Sequence, residues 1–220
     1  MDYRDEFFDL YFKMNMGEVY KKEAMLKLKE IASHIPELKG WPEDKVKFWD
    51  AESYNWPMRF KKGEREFILE TIKEHISSNH LDIASGALPV NSECVCLDFS
   101  KEMLDMIRTL QEKIVFDIDS TERLPFNDSK FDSVSCVFIL NYIENLDFVI
   151  SEINRILSEN GKFIIVQSNK PLHELHRQKE KYGMEFEDKL MESLENNNFF
   201  VTVENHEYNN KELLILICEK

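Results

Sequence analysis

Two short apolar runs inside residues 81–100 constrain the fold of this chain more than any other feature. Leu81-Asp82-Ile83-Ala84 reads as a buried strand entering the small-residue turn Ser85-Gly86-Ala87. Cys94-Val95-Cys96-Leu97-Asp98 reads as a second strand ending on a carboxylate. Strand, tight turn, strand and terminal acid open a doubly wound α/β domain with a nucleoside pocket: the turn lets backbone approach a ligand, and the acid can accept from both ribose hydroxyls. The turn holds one glycine, and only seven residues separate Gly86 from Cys94. At a rise of about 1.5 Å per residue that leaves room for roughly one helical turn. A first crossover helix is expected to be missing or vestigial.

Downstream the periodicity alternates. Residues 64–76 form an amphipathic helix with Ile68, Leu69, Ile72 and Ile76 on one side. Ser100 caps a helix carrying Met103, Leu104, Ile107 and Leu110. Residues 114–119 are a third strand and residues 131–140 a fourth, whose near-continuous apolar character suits burial on both faces. Residues 147–157 are a helix stopped by Asn160-Gly161, and residues 163–166 a fifth strand. This alternation predicts a mostly parallel sheet with helices on both faces. Residues 199–203 and 213–218 are strands whose link, the polar turn 205–210, is too short for a crossover helix, so they pair antiparallel.

The N-terminal part is helical, with Tyr3, Phe7, Leu10, Tyr11 and Met14 at helical spacing and Ala24, Leu28, Ile31 and Ile35 in a second segment. Pro36, Gly40 and Pro42 break the pattern. Residues 48–57 then place Phe48, Trp49, Tyr54 and Trp56 before Pro57. Two readings stand side by side: packing of an extension on the domain, or a lid over a ligand. Residues 1–60 are read as this helical extension and 61–220 as the α/β domain.

A net charge of −14 on 220 residues repels polyphosphate, and the short basic pairs Lys21-Lys22 and Lys61-Lys62 make no patch. Nucleic acid is therefore excluded as a partner, and a small-molecule substrate is expected. No apolar run approaches bilayer length and Met1-Asp2-Tyr3-Arg4-Asp5 is not a signal peptide, so no membrane partner and a cytoplasmic location are expected. Cys94, Cys96, Cys136 and Cys218 sit in apolar stretches without metal-ligand spacing and read as small buried hydrophobes. The sequence leaves the oligomeric state open.

The chain resembles the class I S-adenosylmethionine-dependent methyltransferases of the small-molecule type, with a Rossmann-like sheet and a degenerate glycine-rich first motif. The resemblance rests on residues 81–87, Leu97-Asp98-Phe99-Ser100, Leu124-Pro125-Phe126 leading to Phe131-Asp132, and residues 139–161 with Ile153-Asn154-Arg155-Ile156-Leu157 before Gly161-Lys162-Phe163. It implies S-adenosylmethionine as cofactor. Asp82, Ala84, Ser85 and Gly86 would lie under its methionine part, and Asp98 would accept from the ribose, with Phe99 against the adenine and Ser100 and Met103 also at the cofactor. Ile118 and Asp119 would frame the adenine, with Asp119 and Ser120 alternatives for its amino group. Val137 and Phe138 would line the sulfonium side, and Tyr54 would cover the cofactor.

Methyl transfer is catalysed mainly by proximity and orientation, and a base is needed only when the acceptor must lose a proton. Tyr142 and Asn141, where the family often has histidines, and His173 are the candidate catalytic residues. His173-Glu174-Leu175-His176 is not a zinc motif and reads as an exposed helix face with one histidine reaching the substrate; no metal is expected. Residues 180–188 read as a solvated helix. The single-glycine turn also admits a catalytically inactive methyltransferase-like binding or regulatory subunit. A third reading, a nicotinamide oxidoreductase, ranks well below these, since GxGxxG is missing and the sheet ending is reversed.

Overall fold

The computed structural model describes residues 2–60, 62–109, 111–168 and 174–220. Helices α1 (Tyr3–Asn15) and α2 (Lys21–Ser33) pack as an antiparallel pair, burying Phe7, Tyr11 and Met14 against Leu28, Ile31 and Trp41. Helix α3 (Lys45–Glu52) starts where Asp44 accepts from the Lys47 amide at 3.0 Å. It is followed by the short α4 (Trp56–Arg59) and by α5 (Glu64–Ile72), whose apolar side holds Ile68 and Ile72. Ala87, Met103 and Leu175 share one apolar cluster with the N-terminal helices. The extension therefore sits on the domain's loops.

Seven strands form one sheet: β1 (His80–Ile83), β2 (Val95–Asp98), β3 (Lys113–Val115), β4 (Phe131–Val137), β5 (Leu157–Ser168), β6 (Phe200–Tyr208) and β7 (Lys211–Glu219), in the order β3-β2-β1-β4-β5-β7-β6. The first five are parallel, and β7 inserts antiparallel beside β5 with β6 outside it, as the short terminal link requires. Helix α6 (Lys101–Met106) follows β2, and α7 (Leu146–Ile156) joins β4 to β5. Later come α8 (Glu174–Arg177) and α9 (Phe186–Asn196). No helix lies between β1 and β2. Helix α7 buries Val149, Ile150, Ile153 and Ile156 against the sheet. Each such side chain contributes about 1.5–3 kcal/mol of apolar burial.

The stretches that carry the family resemblance are locked to one another. Arg155 on α7 donates to the carbonyls of Phe126 (2.8 Å) and Leu124 (3.1 Å) and to Asp128 (2.8 Å). Its neighbour Glu152 accepts from the Leu124 amide at 2.8 Å and pairs with Arg155 at 2.7 Å. The helix thus reads the backbone of the Leu-Pro-Phe segment directly.

Several boundaries depart from the sequence reading. Strand β4 stops at Val137, because Phe138 has φ 59, a conformation that breaks a ladder. The third strand is only Lys113–Val115, and α6 ends at Met106, leaving Ile107 buried beyond it; Leu110 lies outside the described residues. Asn160-Gly161 does not stop α7, which already ends at Ile156. Those two residues form an irregularity inside β5, where the pairing with β4 changes register and Asn160 has φ 63. A Cβ on Gly161 would meet the Ser158 carbonyl at 2.8 Å, so only glycine fits. The expected polar turn 205–210 contracts to Asn209-Asn210, at φ 51 and 62, the two-residue hairpin that both asparagines tolerate. Residues 180–188 are not one helix, since α9 begins only at Phe186.

Candidate functional site

The strand order reverses between β1 and β4, so the crevice of a doubly wound sheet opens over the carboxyl ends of these two strands. Both ends are marked by non-glycine residues in the left-handed region: Ala84 at φ 51 and Phe138 at φ 59. Such backbone is costly and is held only where surrounding contacts fix it. The Phe138 amide donates to the Val166 carbonyl at 2.8 Å, and Lys211 Nζ lies 4.7 Å from the centre of the Phe138 ring.

Two crevices meet at Ala84. The first is a narrow cleft lined by Trp56, Phe60, Arg65, Asp82, Ser85 and Val137 among others. Asp82 is buried, with one oxygen accepting from the Val90 amide (2.9 Å) and the other from the Ser135 hydroxyl (2.7 Å). Ser135 lies 2.9 Å from Nε2 of buried His80, which reaches Ser133 at 2.7 Å through Nδ1. Burial pushes the Asp82 carboxyl up to about 6 and His80 down to about 4. Arg65 donates to the Pro89 carbonyl at 2.9 Å, and its Nε has no hydrogen-bond partner among the described residues. A cation, a buried acid and the Ser85 hydroxyl thus border one small chamber.

The second crevice, equally narrow, is lined by Lys45, Trp49, Leu97, Asp98, Phe99, Phe116, Asp117, Ile118, Ile139, Tyr142 and Ile143 besides Ala84. Asp98 Oδ2 accepts from the Gly86 amide (2.9 Å) and Oδ1 from the Ser100 amide (2.8 Å). Each oxygen keeps a second lone pair. Burial raises the Asp98 carboxyl to about 6 against the pull of those two amides. A side chain on Gly86 would crowd Trp56, with a Cβ 3.4 Å from its Nε1, in a backbone at φ 57. The turn's single glycine is therefore the residue that lets β1's loop grip the acid of β2. Lys45 closes the far wall, bonded to Asp117 at 2.9 Å and lying 5.0 Å from the Phe99 ring centre.

Other residues named from the sequence serve behind the crevices. Ser100 caps α6 by accepting from the Met103 amide (3.1 Å) and donates to Asp50 of α3 (2.7 Å), tying the extension to β2. Met103 is buried beneath Gly86. Asp119 accepts from the Glu144 and Asn145 amides at 2.9 and 3.2 Å, while Asp117 reaches the crevice. Tyr54 stacks on Phe8, ring centres 3.9 Å apart, with its hydroxyl held by Arg4, so Trp49 and Trp56 are the lid aromatics that line the crevices. Asn141 donates to Glu180 (2.9 Å) and its carbonyl accepts from Lys181, fastening the segment after α8. Tyr142 lines the second crevice. His173 lies outside the described residues. His176 is not on an exposed face: it is wholly buried among Phe48, Trp49, Trp56 and Tyr142. Sequence reading missed Arg65 and Lys45, and it held Trp49 only as one of the aromatics of a possible lid and Asp117 only as part of the third strand.

Among the described residues no group of three or more His, Cys, Asp or Glu is placed to hold a metal ion, and no helix is long and apolar enough to cross a membrane.

A family model described as a methyltransferase domain matches residues 78–165. The chain is 29% identical over 135 residues to the uncharacterized methyltransferase YcgJ of Bacillus subtilis, covering 56% of this chain and 53% of that protein. It is 34% identical over 91 residues to the ubiquinone/menaquinone biosynthesis C-methyltransferase UbiE of a Shewanella strain, covering 39% and 36%. The chain thus spans about half, or less, of the length of these curated relatives. A Thermotoga maritima protein described as a S-adenosylmethionine-dependent methyltransferase, possible histamine N-methyltransferase, has a TM-score of 0.65 at 13% identity, covering 80% of this chain and 99% of its own. The crystal structure of B. subtilis YcgJ gives 0.53 at 14% identity, covering 73% and 99%. These structures share the fold. Matched residues and strand order agree with the reading from the motifs: residues 78–165 match a methyltransferase domain, and the fold is shared with S-adenosylmethionine-dependent methyltransferases.

Proposed function

We propose that this protein binds S-adenosylmethionine across the two crevices and transfers its methyl group to a small, largely planar acceptor. The observation that carries the reading is the meeting of two chemically different chambers at Ala84, at the switch point of the sheet. The first offers Arg65 to a carboxylate and Asp82 and Ser85 to an ammonium group, as an amino-acid tail demands. The second offers Asp98 to a ribose and the faces of Phe99 and Ile118 to an adenine, with Asp117 at its rim. The residues present fit the cofactor in polarity and order along the crevice.

When bound, the sulfonium supplies the electrophile, so the chain's task is to hold and align. Trp49, Trp56 and Tyr142 present ring faces and edges around the junction, which favours an apolar planar acceptor. Asn141 and the segment 174–182 close that side. The N-terminal helices exclude water from above.

Calorimetry with S-adenosylmethionine and S-adenosylhomocysteine tests the reading, with saturable heat from both expected. Folded protein that gives heat with neither ends it. The Ala84 methyl group at the junction favours a second reading, a domain that binds cofactor without turnover. Release of labelled methyl to an acceptor by pure protein disposes of that alternative.

A further inference from the structure

Beside the second crevice runs a buried polar chain that cofactor binding does not require. Glu52, at the end of α3, and His176, in α8, are both inaccessible to solvent, with His176 Nε2 3.3 Å from Glu52 Oε2. Tyr11 of α1 donates to Glu52 Oε1. On the other side His176 Nδ1 lies 3.2 Å from the Tyr142 hydroxyl, and Tyr142 lines the crevice that holds Asp98. The rings of Phe48, Trp49 and Trp56 stand 5.2, 5.3 and 6.4 Å from the imidazole.

Two ionisable groups so deeply buried are expensive, and an apolar pair of the same size would pack more stably. Their arrangement has a direction. The tautomer with its proton on Nε2, facing Glu52, leaves Nδ1 to accept from the Tyr142 hydroxyl. That N–H falls short of hydrogen-bond geometry among the described residues. A small ring rotation completes the contact, and catalytic hydrogen bonds commonly tighten only when the site is filled. Carboxylate, imidazole and hydroxyl stand in the order of an orienter, a base and a group at the pocket wall.

Building on the methyltransferase reading above, we propose that Tyr142, His176 and Glu52 form a proton relay, and that the acceptor is a phenolic hydroxyl. A relay is required only where the nucleophile must lose a proton as it is methylated, and the surrounding rings suit a planar aromatic. As the acceptor oxygen bonds to the methyl carbon and the C–S pair leaves on sulfur, the acceptor's proton passes to the Tyr142 oxygen. The Tyr142 proton passes to His176 Nδ1, and Glu52 holds the imidazolium. Nothing is oxidised or reduced, and the proton returns to solvent with product release. Tyr142 is the catalytic residue; His176, Glu52 and Tyr11 act through it as positioning residues.

The test uses the full chain, methyl-labelled S-adenosylmethionine and two probes: phenol, protonated at neutral pH, and pentafluorophenol, largely ionised. Wild-type protein is expected to methylate both on oxygen. Tyr142→Phe and Glu52→Gln should each lower transfer to phenol about 100-fold or more, and to pentafluorophenol by less than about tenfold. A merely structural role would lower both alike, and that result overturns the relay. Nitrogen-15 spectra of histidine-labelled protein give a readout without turnover: Tyr142→Phe moves the His176 Nδ1 resonance, and Glu52→Gln hastens exchange of the Nε2 proton. Unmoved resonances overturn the relay as well. If calorimetry shows cofactor bound yet neither probe is methylated, the phenolic acceptor is wrong. If no cofactor binds, the methyltransferase reading falls first, and this one with it.

Discussion

At the scale of single residues, the proposed function gives Asp98 and Ala84 the task of meeting the cofactor. Asp98→Ala should weaken binding of S-adenosylhomocysteine by about 1–3 kcal/mol, the worth of hydrogen bonds to a charged acceptor; calorimetry reads it, and unchanged affinity refutes the ribose assignment. The same carboxyl gives a pH dependence with a definite sign. Burial raises it to about 6, and the ionised form is the one that accepts from two hydroxyls. Affinity should therefore hold steady above pH 7 and fall as pH drops through 6, approaching tenfold per unit below it. Ala84 is a different case. Its left-handed backbone at φ 51 costs about 1–2 kcal/mol for a residue with a Cβ. Glycine there loses about 0.5–1 kcal/mol through added chain entropy. Ala84→Gly should thus leave the melting temperature nearly unchanged while tightening S-adenosylhomocysteine severalfold, since its methyl group leaves the junction. Weaker binding in that variant would place the cofactor elsewhere.

At the scale of elements, the Leu-Pro-Phe segment and helix α7 are one unit. Arg155 donates to two carbonyls and two carboxylates while largely shielded, and its loss leaves buried Glu152, among the described residues, with only the Leu124 amide and the longer, exposed contact to Arg123. Arg155→Met should cost about 3–5 kcal/mol of stability, measured by denaturant unfolding; a loss below about 1 kcal/mol would make the network ornamental. What could be read from sequence followed period and chain order. Five parallel strands, the missing first crossover helix and the reversed ending came from apolar alternation and link lengths, which local chemistry dictates. The ends of elements did not. Phe138 carries no mark of its positive φ, and Asn160-Gly161 looks the same whether it stops a helix or kinks a strand. The site was half legible for the same reason. Asp98, Phe99 and Ile118 sit at strand ends, where topology alone places them on the crevice. Arg65, Lys45, Trp49 and His176 arrive from helices whose docking angles are set by tertiary packing, so the local pattern marks an aromatic run and a histidine pair but not where they land. Tyr54, chosen by likeness, is drawn aside by Phe8 and Arg4, and the tryptophans on either side line the crevices.

At the scale of the whole molecule, three buried groups beneath the crevice shape stability against pH. Asp82 and Asp98 rise from 3.8 to about 6, so the folded state holds their protons longer than the unfolded chain. Their effect is to reduce stability as pH rises from about 4 to about 6, by up to about 1.4 kcal/mol per unit for each group. His80, lowered from 6.5 to about 4, acts oppositely over nearly the same span, since the unfolded chain protonates first as pH falls. The acids outnumber the histidine. Denaturant unfolding should show His80→Asn steepening the decline between pH 4 and 6, and Asp98→Asn flattening it; slopes that move the other way would contradict the burial of these groups.

The cover of the active crevice has one further consequence, and it concerns time rather than place. Lys179 donates to the Pro42 carbonyl across 137 positions of sequence, and His176 meets Glu52 across the same seam. Contacts so distant along the chain form late, after loop closure over most of the domain. A growing or partly unfolded molecule can therefore possess the ribose acid and its loop before it possesses a closed acceptor chamber. On that order, a chain that has gained the ribose acid but not this seam would hold the cofactor without a closed chamber in which to use it.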